Sequence, residues 1–388
     1  MICSLGILWA GLSTVNGHGG HHHHEPLPAR SERPVDEALD SLGERVRKDP
    51  SNHELAARYA RELIMASRMY GDGRYTETAA EALAPFLNQG SPSSEMLLLR
   101  ATLLQADHRF EAALADIQRV LETEPANGQA LLSRAAILQA TGRFDAAAQA
   151  AVRLHGSVPE LAVTAMSASL GSIRGKSHSA AMLLERSLNR DSGNDPELRQ
   201  WALAIAAEID WRRGDIDGAQ SWFTEAMSLG MDANLIYQFS DFHLEQGNPD
   251  VVLTILEKAP PTTGTLLRRA IAIKQLGNRE RELEAIVEEL EEHFVAERKL
   301  PYGRFYKSEG RYFLYLKDNP DEAYRLARLN WSEQREPADA IFLMKSALAS
   351  GNNAAAIATL ELLDSYPSTG GQFKRLEKLL KERANDNT

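Results

Sequence analysis

The feature of this sequence that most restricts its fold is a pattern that repeats every 34 residues. Residues 106–117 read ADHRFEAALADI and residues 140–151 read ATGRFDAAAQAA, at an offset of 34. Pro125 and Pro159 follow the two segments at the same offset. Repeats of this length are typical of solenoids, because one helix pair cannot bury its own apolar face whereas stacked pairs share a continuous core.

Extending the same phase predicts helix–turn–helix units over about residues 50–368. Glycine dominates the turn positions, since a helix commonly ends at a residue in the left-handed conformation. Small residues, mostly alanine, recur seven positions before and five positions after the turns, where two antiparallel helices must approach closely. The predicted turn residues are Gly73, His108, Gly142, Gly175, Gly214, Gly247, Gly277, Asp318 and Gly351.

Small contact residues, a glycine turn, an aromatic residue after it and a closing proline together resemble the tetratricopeptide repeat (TPR) family. The resemblance implies an all-α fold, a right-handed α-solenoid of eight or nine stacked helix pairs that forms a TPR-like superhelix. It is looser in the last third, where Glu282 replaces a small residue and an insertion is indicated around residues 296–310. Residues 371–385 carry one apolar stripe and are predicted to form a C-terminal capping helix of a solenoid spanning residues 36–388.

Composition narrows the partners that such a chain can have. The 388 residues carry a net charge of −11 and a single cysteine, Cys3. An acidic chain repels phosphate backbones and anionic lipids, so we expect no nucleic-acid partner, and a basic or amphipathic protein segment is favoured. A single cysteine excludes an internal disulfide and a zinc site made of several thiolates. After the N-terminal segment, no stretch is long and apolar enough to predict a transmembrane helix.

The sequence predicts no catalytic site. The stretch GSIRGKS, residues 171–177, resembles a phosphate-binding loop, but three residues rather than four separate Gly171 from Gly175. Gly175 also lies at a predicted turn of the repeat. Because no set of acid, base and nucleophile is apparent, we expect a protein that is not an enzyme and has no resident cofactor.

The N-terminus predicts export. Residues 2–12 are apolar and uncharged, with the length of the hydrophobic region of a signal peptide, and Val15 and Gly17 suit a cleavage site after residue 17. Residues 1–17 are therefore interpreted as a signal peptide and residues 18–35 as a flexible segment rich in histidine and containing proline. The expected location is periplasmic or extracellular. No basic residue precedes the apolar run, and if the segment is not a signal the location is cytoplasmic.

The tract HGGHHHH at residues 18–24 is the strongest metal-binding feature. Neutral imidazoles bind zinc, copper and nickel, and clustered histidines on a segment containing glycine can supply several ligands to one divalent transition metal ion. The candidate ligands are His18, His21, His22, His23 and His24. The alternative interpretations are an artefact, since four consecutive histidines resemble a purification tag, and a low-complexity tract.

The TPR resemblance implies a partner groove lined by the first helix of each unit. Its inward-facing positions carry aromatic and charged residues, and interface hot spots are enriched in Trp, Tyr and Arg. The alternative is that some of these aromatic residues fill gaps between irregular units. The candidate groove residues are Trp201, Glu208, Trp211, Arg212, Tyr237, Asp241, Glu245, Tyr312 and Tyr315.

Two functions follow from these features. The first is a non-enzymatic scaffold for protein–protein interactions that binds a peptide or protein segment in its concave groove. In one version of this hypothesis the bound segment is basic. The second is an exported metal-handling protein whose histidine tract binds zinc, copper or nickel and whose repeats dock a transporter or metalloenzyme.

Overall fold

The computed structural model describes residues 34–87, 92–299, 305–367 and 370–385. These residues form twenty α-helices and no strand, which confirms the all-α prediction. The helices are α1 (Pro34–Lys48), α2 (His53–Tyr70), α3 (Arg74–Leu87), α4 (Ser94–Ala106), α5 (Phe110–Thr123), α6 (Gly128–Ala140), α7 (Phe144–Val152), α8 (Glu160–Gly171), α9 (Ser177–Arg190), α10 (Pro196–Arg213), α11 (Ile216–Leu229), α12 (Ala233–Glu245), α13 (Pro249–Leu256), α14 (Thr263–Leu276), α15 (Glu280–Glu297), α16 (Tyr306–Tyr315), α17 (Pro320–Glu333), α18 (Pro337–Ala349), α19 (Asn353–Leu363) and α20 (Gly370–Asn385).

Consecutive helices from α2 to α19 pack as antiparallel pairs, and each pair stacks on the next. The first helix of a central pair is apolar almost all round. In α6, for example, eleven of thirteen residues are buried. The second helix is amphipathic; α5 buries one stripe that includes Ala113, Ile117 and Val120. The first helices therefore form the inner layer of the solenoid and the second helices form its convex, solvated layer.

The turn prediction is confirmed at eight of its nine positions. Six glycines and two non-glycine residues, His108 at φ 57° and Asp318 at φ 47°, adopt the left-handed conformation where the repeat phase placed them. The first turn differs, because α2 ends at Tyr70 and Gly71, not Gly73, caps it at φ 65° with its N–H donating to the Ser67 carbonyl.

The irregular segments also lie where the sequence placed them. The stretch resembling a phosphate loop, Ser172–Lys176, is a kink between α8 and α9, in which Arg174 and Gly175 leave the helical conformation and Gly175 adopts φ 84°. The insertion extends α15 to 18 residues and separates it from α16. The predicted final helix is α20, which buries Phe373, Leu376 and Leu380.

The superhelix closes on itself, so its concave face is not the open groove expected from the sequence. The Arg335 N–H donates to the Ala140 carbonyl at 2.7 Å, and the His108 ring meets Phe305 edge-on at 5.8 Å. At a second contact, the start of α20 packs so closely against α10 that a β-carbon added at Gly370 would lie 1.9 Å from the Arg212 carbonyl oxygen. The last units therefore fold back over the earlier ones and convert the groove into a central cavity.

Within the described residues, no helix has the length and apolarity needed to span a bilayer.

Candidate functional site: the central cavity

The concave face of the superhelix encloses a cavity of about 460 Å³. Its walls come from the inner helices α6, α8, α10, α12, α14, α16 and α18, and α20 closes one side. Residues far apart in sequence, from Gln139 to Leu376, therefore meet at one site. Pockets of this size in proteins typically hold a small ligand or a few side chains.

Six of the nine predicted groove residues line this cavity. They are Glu208, Trp211, Arg212, Asp241, Glu245 and Tyr315. The Trp211 ring is half-buried and packs edge-on against Phe242 at a centroid distance of 5.5 Å. Five of the six lie on α10 and α12, which both begin at an aspartate that caps the helix, and Tyr315 is the last residue of α16. Helix α10 ends at Gly214 in the left-handed conformation.

The other three predicted residues serve packing. Trp201 is 9% exposed and belongs to the largest hydrophobic core. Tyr312 is fully buried against Phe294, and its hydroxyl donates to Glu291 at 2.5 Å. The Tyr237 hydroxyl bonds Thr262 at 2.8 Å. Their groove placement is therefore corrected: these three side chains pack against neighbouring helices and do not line the cavity.

Asp241 is neutralised by the chain itself. Its carboxylate accepts two hydrogen bonds from Arg311, at 2.7 and 2.8 Å, and a third from Arg268 at 2.7 Å. Burial alone would raise the pKa of Asp241, but the two guanidinium groups overcome it and hold the pKa well below its usual range. This carboxylate ties α12 to α14 and α16 and has no charge left over for a ligand.

The neighbouring acidic residues are also engaged, to different degrees. Glu245 accepts from Lys345 at 2.5 Å and from Gln372 at 3.0 Å, which joins α12 to α18 and α20. Glu208 contacts Arg212 at 3.5 Å, a separation longer than a charge-assisted hydrogen bond. Arg212 donates instead to the Ser172 hydroxyl at 2.5 Å. Of the three predicted acidic groove residues, Glu208 is the one held least tightly.

The structure adds a buried charged cluster that sequence reasoning missed. Glu336 precedes α18 and lines the cavity, and it is 5% exposed. Burial, reinforced by the nearby Asp339 carboxylate, raises the pKa of Glu336 to about 8. Lys307 donates to Asp339 at 2.5 Å beside it. Near neutral pH the Glu336 carboxyl is therefore mostly protonated. Glu336 precedes α18 and so lies outside the helix positions that the repeat phase selects, which is why no periodic signal marked it.

Two glutamines of the cavity wall were also missed. Gln139 and Gln238 line the cavity and are 4% and 2% exposed. The Gln139 amide donates to the Ser169 hydroxyl at 3.1 Å, but its side-chain oxygen accepts no hydrogen bond, and neither does that of Gln238. Buried polar atoms are nearly always paired, so these two oxygens are unusual. Residue type and spacing gave no signal for them, since glutamine is ordinary on a helix.

The predicted metal ligands His18, His21, His22, His23 and His24 lie outside the described residues, so metal binding there stays a prediction. Among the described residues, no three His, Cys, Asp or Glu side chains are grouped so that they could hold a metal ion.

Comparison with known proteins gives the class of the fold. No protein-family model matches the chain, and no curated protein matches it significantly. Among solved structures, it is similar to Cut9 in the APC/C hetero-tetramer Cut9–Hcn1, with a TM-score of 0.53 at 16% identity, over 90% of this chain and 67% of that chain. It also aligns with the human IFIT1 dimer with PPP-AAAA (TM-score 0.45, 15% identity, 91% of this chain and 87% of that one). A third match is the P58(IPK) TPR domain (TM-score 0.23, 16% identity, 91% and 94%).

At these sequence identities the similarity shows the fold alone, and it rests on the Cut9 structure, whose TM-score is 0.53. The protein is a TPR-like helical repeat superhelix.

Proposed function

We propose that this chain is a non-enzymatic scaffold for protein–protein interactions that binds a short peptide or protein segment in its central cavity. The observation that carries the proposal is the composition of the cavity wall. Trp211 and Tyr315 offer apolar contact area, and charged residues of both signs surround them. Aromatic and arginine residues in a concave, largely desolvated site are the groups on which interfaces usually depend.

The size of the cavity limits what it can bind. A volume of about 460 Å³ accommodates a few side chains, not a long helix. Burying one aromatic ring removes about 150 to 250 Å², worth about 4 to 6 kcal/mol at about 25 cal/mol per Å². Association costs on the order of 4 to 15 kcal/mol. One anchor is therefore insufficient, and the segment must also contact polar groups at the cavity rim.

One further finding supports a binding role. The similar structure of Cut9 is of a hetero-tetramer with another protein, Hcn1.

The experiment is selection of peptides from a random display library on the immobilised chain, followed by affinity measurement with synthetic versions of the selected peptides. Trp211→Ala is compared with Trp222→Ala. Both tryptophans are half-buried in the same helix pair, but Trp222 does not line the cavity and its indole N–H donates to Asp210.

Trp211→Ala should weaken peptide binding by more than about 1 kcal/mol, a loss of at least about fivefold, with helicity unchanged. Trp222→Ala should leave the affinity within about twofold. Peptides that bind with equal affinity to both variants and to the unaltered chain would contradict a cavity site. Loss of helicity in Trp211→Ala would show that Trp211 serves the core instead.

We propose separately that the chain is exported. The mature chain should then begin at His18 in the native host, which mass spectrometry of its N-terminus measures.

We also propose that the histidine tract binds metal. Replacing His21 to His24 with serine should then abolish zinc and copper binding in titrations. The metal affinity of the unaltered chain should fall below about pH 6.5, because the imidazoles become protonated.

A further inference from the structure

The charges on the cavity wall do not balance, and the imbalance indicates which kind of segment the cavity binds. The cationic side chains of the wall are Arg212, Lys307, Arg311, Lys345 and Arg375. The carboxyl groups of the wall are Glu208, Asp241, Glu245 and Glu336. Because burial raises the pKa of Glu336 to about 8, this group carries little charge near neutral pH. The wall therefore carries more positive than negative charge.

Ion pairs within the chain cancel only part of this positive charge. Three of the cations each face one carboxylate: Lys345 faces Glu245 at 2.5 Å, Lys307 faces Asp339 at 2.5 Å and Arg212 faces Glu208 at 3.5 Å. Asp241, in contrast, is shared between Arg311 and Arg268, each at 2.7 Å. This group of three side chains keeps one positive charge.

Arg375 lacks a counter-charge within the described residues. No carboxylate there lies at hydrogen-bond distance from its guanidinium group. Its own helix supplies none, because the residues three and four positions away are Gly371, Gln372, Lys378 and Leu379. Gln372, one turn earlier, donates to Glu245 at 3.0 Å, but Lys345 takes the other oxygen of that carboxylate. The donors of Arg375 are therefore free for a ligand.

We propose that the segment bound in the central cavity is acidic, and that one of its aspartate or glutamate side chains pairs with Arg375 at the mouth of the cavity. This proposal rests on the proposed function and names the chemistry of the partner. Arg375 is exposed, whereas Trp211 and Tyr315 are half-buried. A segment that continues inward to these rings presents a side-chain carboxylate at the mouth, not its C-terminus. A guanidinium group can donate two parallel hydrogen bonds to such a carboxylate.

The charge of the cavity wall reverses the expectation drawn from the whole chain. A net charge of −11 favours a basic segment when charge is averaged over the surface. In the cavity the nearest charges dominate, because more distant ones are largely screened beyond about 8 Å at physiological ionic strength. A long polyanion such as nucleic acid would still meet the acidic exterior. A short peptide with one or two carboxylates fits better.

Selection from a random display library in which every peptide C-terminus is fused to its carrier tests this preference. Peptides selected on the unaltered chain should be enriched in aspartate and glutamate and depleted of lysine and arginine relative to the starting library. Selection on Arg375→Glu should weaken or reverse this preference. Lys374→Glu is the matched control, since Lys374 is exposed on the same helix but does not line the cavity. It should select the same composition as the unaltered chain.

Synthetic peptides then measure the pairing itself. Each selected peptide is made with both ends capped, once with its acidic residue and once with glutamine in that place. The acidic form should bind about two- to fivefold more tightly, the range expected of an exposed ion pair. Arg375→Gln should remove this difference, whereas Lys374→Gln should keep it. High salt should also reduce the difference.

Equal affinity of the acidic and glutamine forms, or a difference that survives in Arg375→Gln, would overturn the acidic subsite. A preference that requires a free C-terminal carboxylate, or tighter binding of a single-stranded oligonucleotide than of the peptides, would overturn it as well. If the peptides still depend on Trp211 in these cases, the scaffold function stands and the acidic subsite alone is rejected.

Small probes separate the opposite case. Nα-acetyl-glutamate methylamide carries a side-chain carboxylate and Nα-acetyl-glutamine methylamide does not, and chemical-shift titration measures the binding of each. If no peptide depends on Trp211 while the glutamate probe alone binds, and does so only when Arg375 is present, the subsite stands and the peptide function is rejected. If neither the peptides nor the glutamate probe binds, both proposals are rejected.

Discussion

At the scale of single residues, buried charges hold the inner helices together. Asp241 accepts hydrogen bonds from Arg268 and Arg311, whose side chains are 3% and 15% exposed. The Arg268 guanidinium also lies over the Tyr237 ring at 4.3 Å. Removing one member of such a group leaves the others charged and dehydrated. This lowers stability more than replacing the whole group with apolar side chains would.

Asp241→Asn should therefore lower the free energy of unfolding by about 3 to 5 kcal/mol, because it leaves two buried guanidinium groups without a counter-charge. Glu245→Gln is the matched control on the same helix. Its partner Lys345 is 26% exposed, so this change should cost less than about 1 kcal/mol. Urea unfolding followed by circular dichroism measures both; equal losses in the two variants would contradict the structural role of Asp241.

Glu336 predicts how stability changes with pH. Its pKa is raised from its ordinary value of 4.5 to about 8 in the folded chain, mainly by burial. The folded state therefore keeps a proton that the unfolded chain releases, and this contribution is fully present below about pH 4.5 and is lost as the pH rises through about 8.

Glu336→Gln should abolish this dependence, so the variant should gain stability relative to the unaltered chain between pH 5 and about 9. The urea midpoint measured across that range tests the sign. Glu322→Gln, whose carboxylate pairs with Arg325 at the surface, should leave the alkaline loss in place. If the urea midpoints of Glu336→Gln and the unaltered chain change with pH in parallel, Glu336 does not hold a proton in the folded chain.

The repeat phase identified six cavity residues but could not identify those that complete the wall. Glu208, Trp211 and Asp241 follow the inward phase of the repeat, which the sequence reveals directly. Trp201 follows the same phase yet lies in the core, because phase gives the face of a helix and not the neighbour it meets. Glu336 lines the cavity only because α18, which it precedes, folds back over the earlier units. Local sequence does not encode that long-range contact.

At the scale of helices, the turns determine how each pair is joined. Gly277 ends α14 at φ 69°, where a side chain would meet no other atom within 4 Å. Gly73, the predicted first turn, also has open space around it but lies outside the left-handed region. The two glycines therefore differ in backbone conformation and not in crowding.

Gly277→Ala should destabilise the chain by about 1 to 2 kcal/mol, the cost of a side chain in the left-handed conformation. Gly73→Ala should be neutral or should stabilise by up to about 1 kcal/mol, because alanine restricts only the unfolded chain there. Thermal and urea unfolding of the two variants compare them directly. A larger loss for Gly73→Ala would mean that the first turn is at Gly73 after all.

Helix pairing was predictable because it depends on local signals. The small residues on both sides of each turn and the turn residue itself recur with the period of the unit, and they located even the non-glycine turns at His108 and Asp318. The first turn was misplaced by two residues because Gly71 and Gly73 are both available and only the length of α2 decides between them.

At the scale of the whole molecule, closure of the superhelix defines the site. Gln334 lies beside His108 although 226 residues separate them, and Phe144 meets Tyr366 edge-on at 5.7 Å. Such contacts depend on small rotations accumulated over many units, so the repeat pattern predicted a superhelix but not that it would close. The cavity exists because these distant segments meet.

A distance measured across the closure shows whether the superhelix closes around a cavity. Spin labels are placed at Arg143→Cys and Ser332→Cys, both exposed positions, in a Cys3→Ser chain that has no other cysteine. The labels flank the bond between Arg335 and Ala140. Pulsed electron resonance then gives the distribution of distances between them.

A closed superhelix predicts a single short distance, set mainly by the two label linkers. The sites are five units apart along the solenoid, and with about 10 Å per step an open stack would place them about 50 Å apart. A distribution centred near that longer distance would show that the superhelix is open.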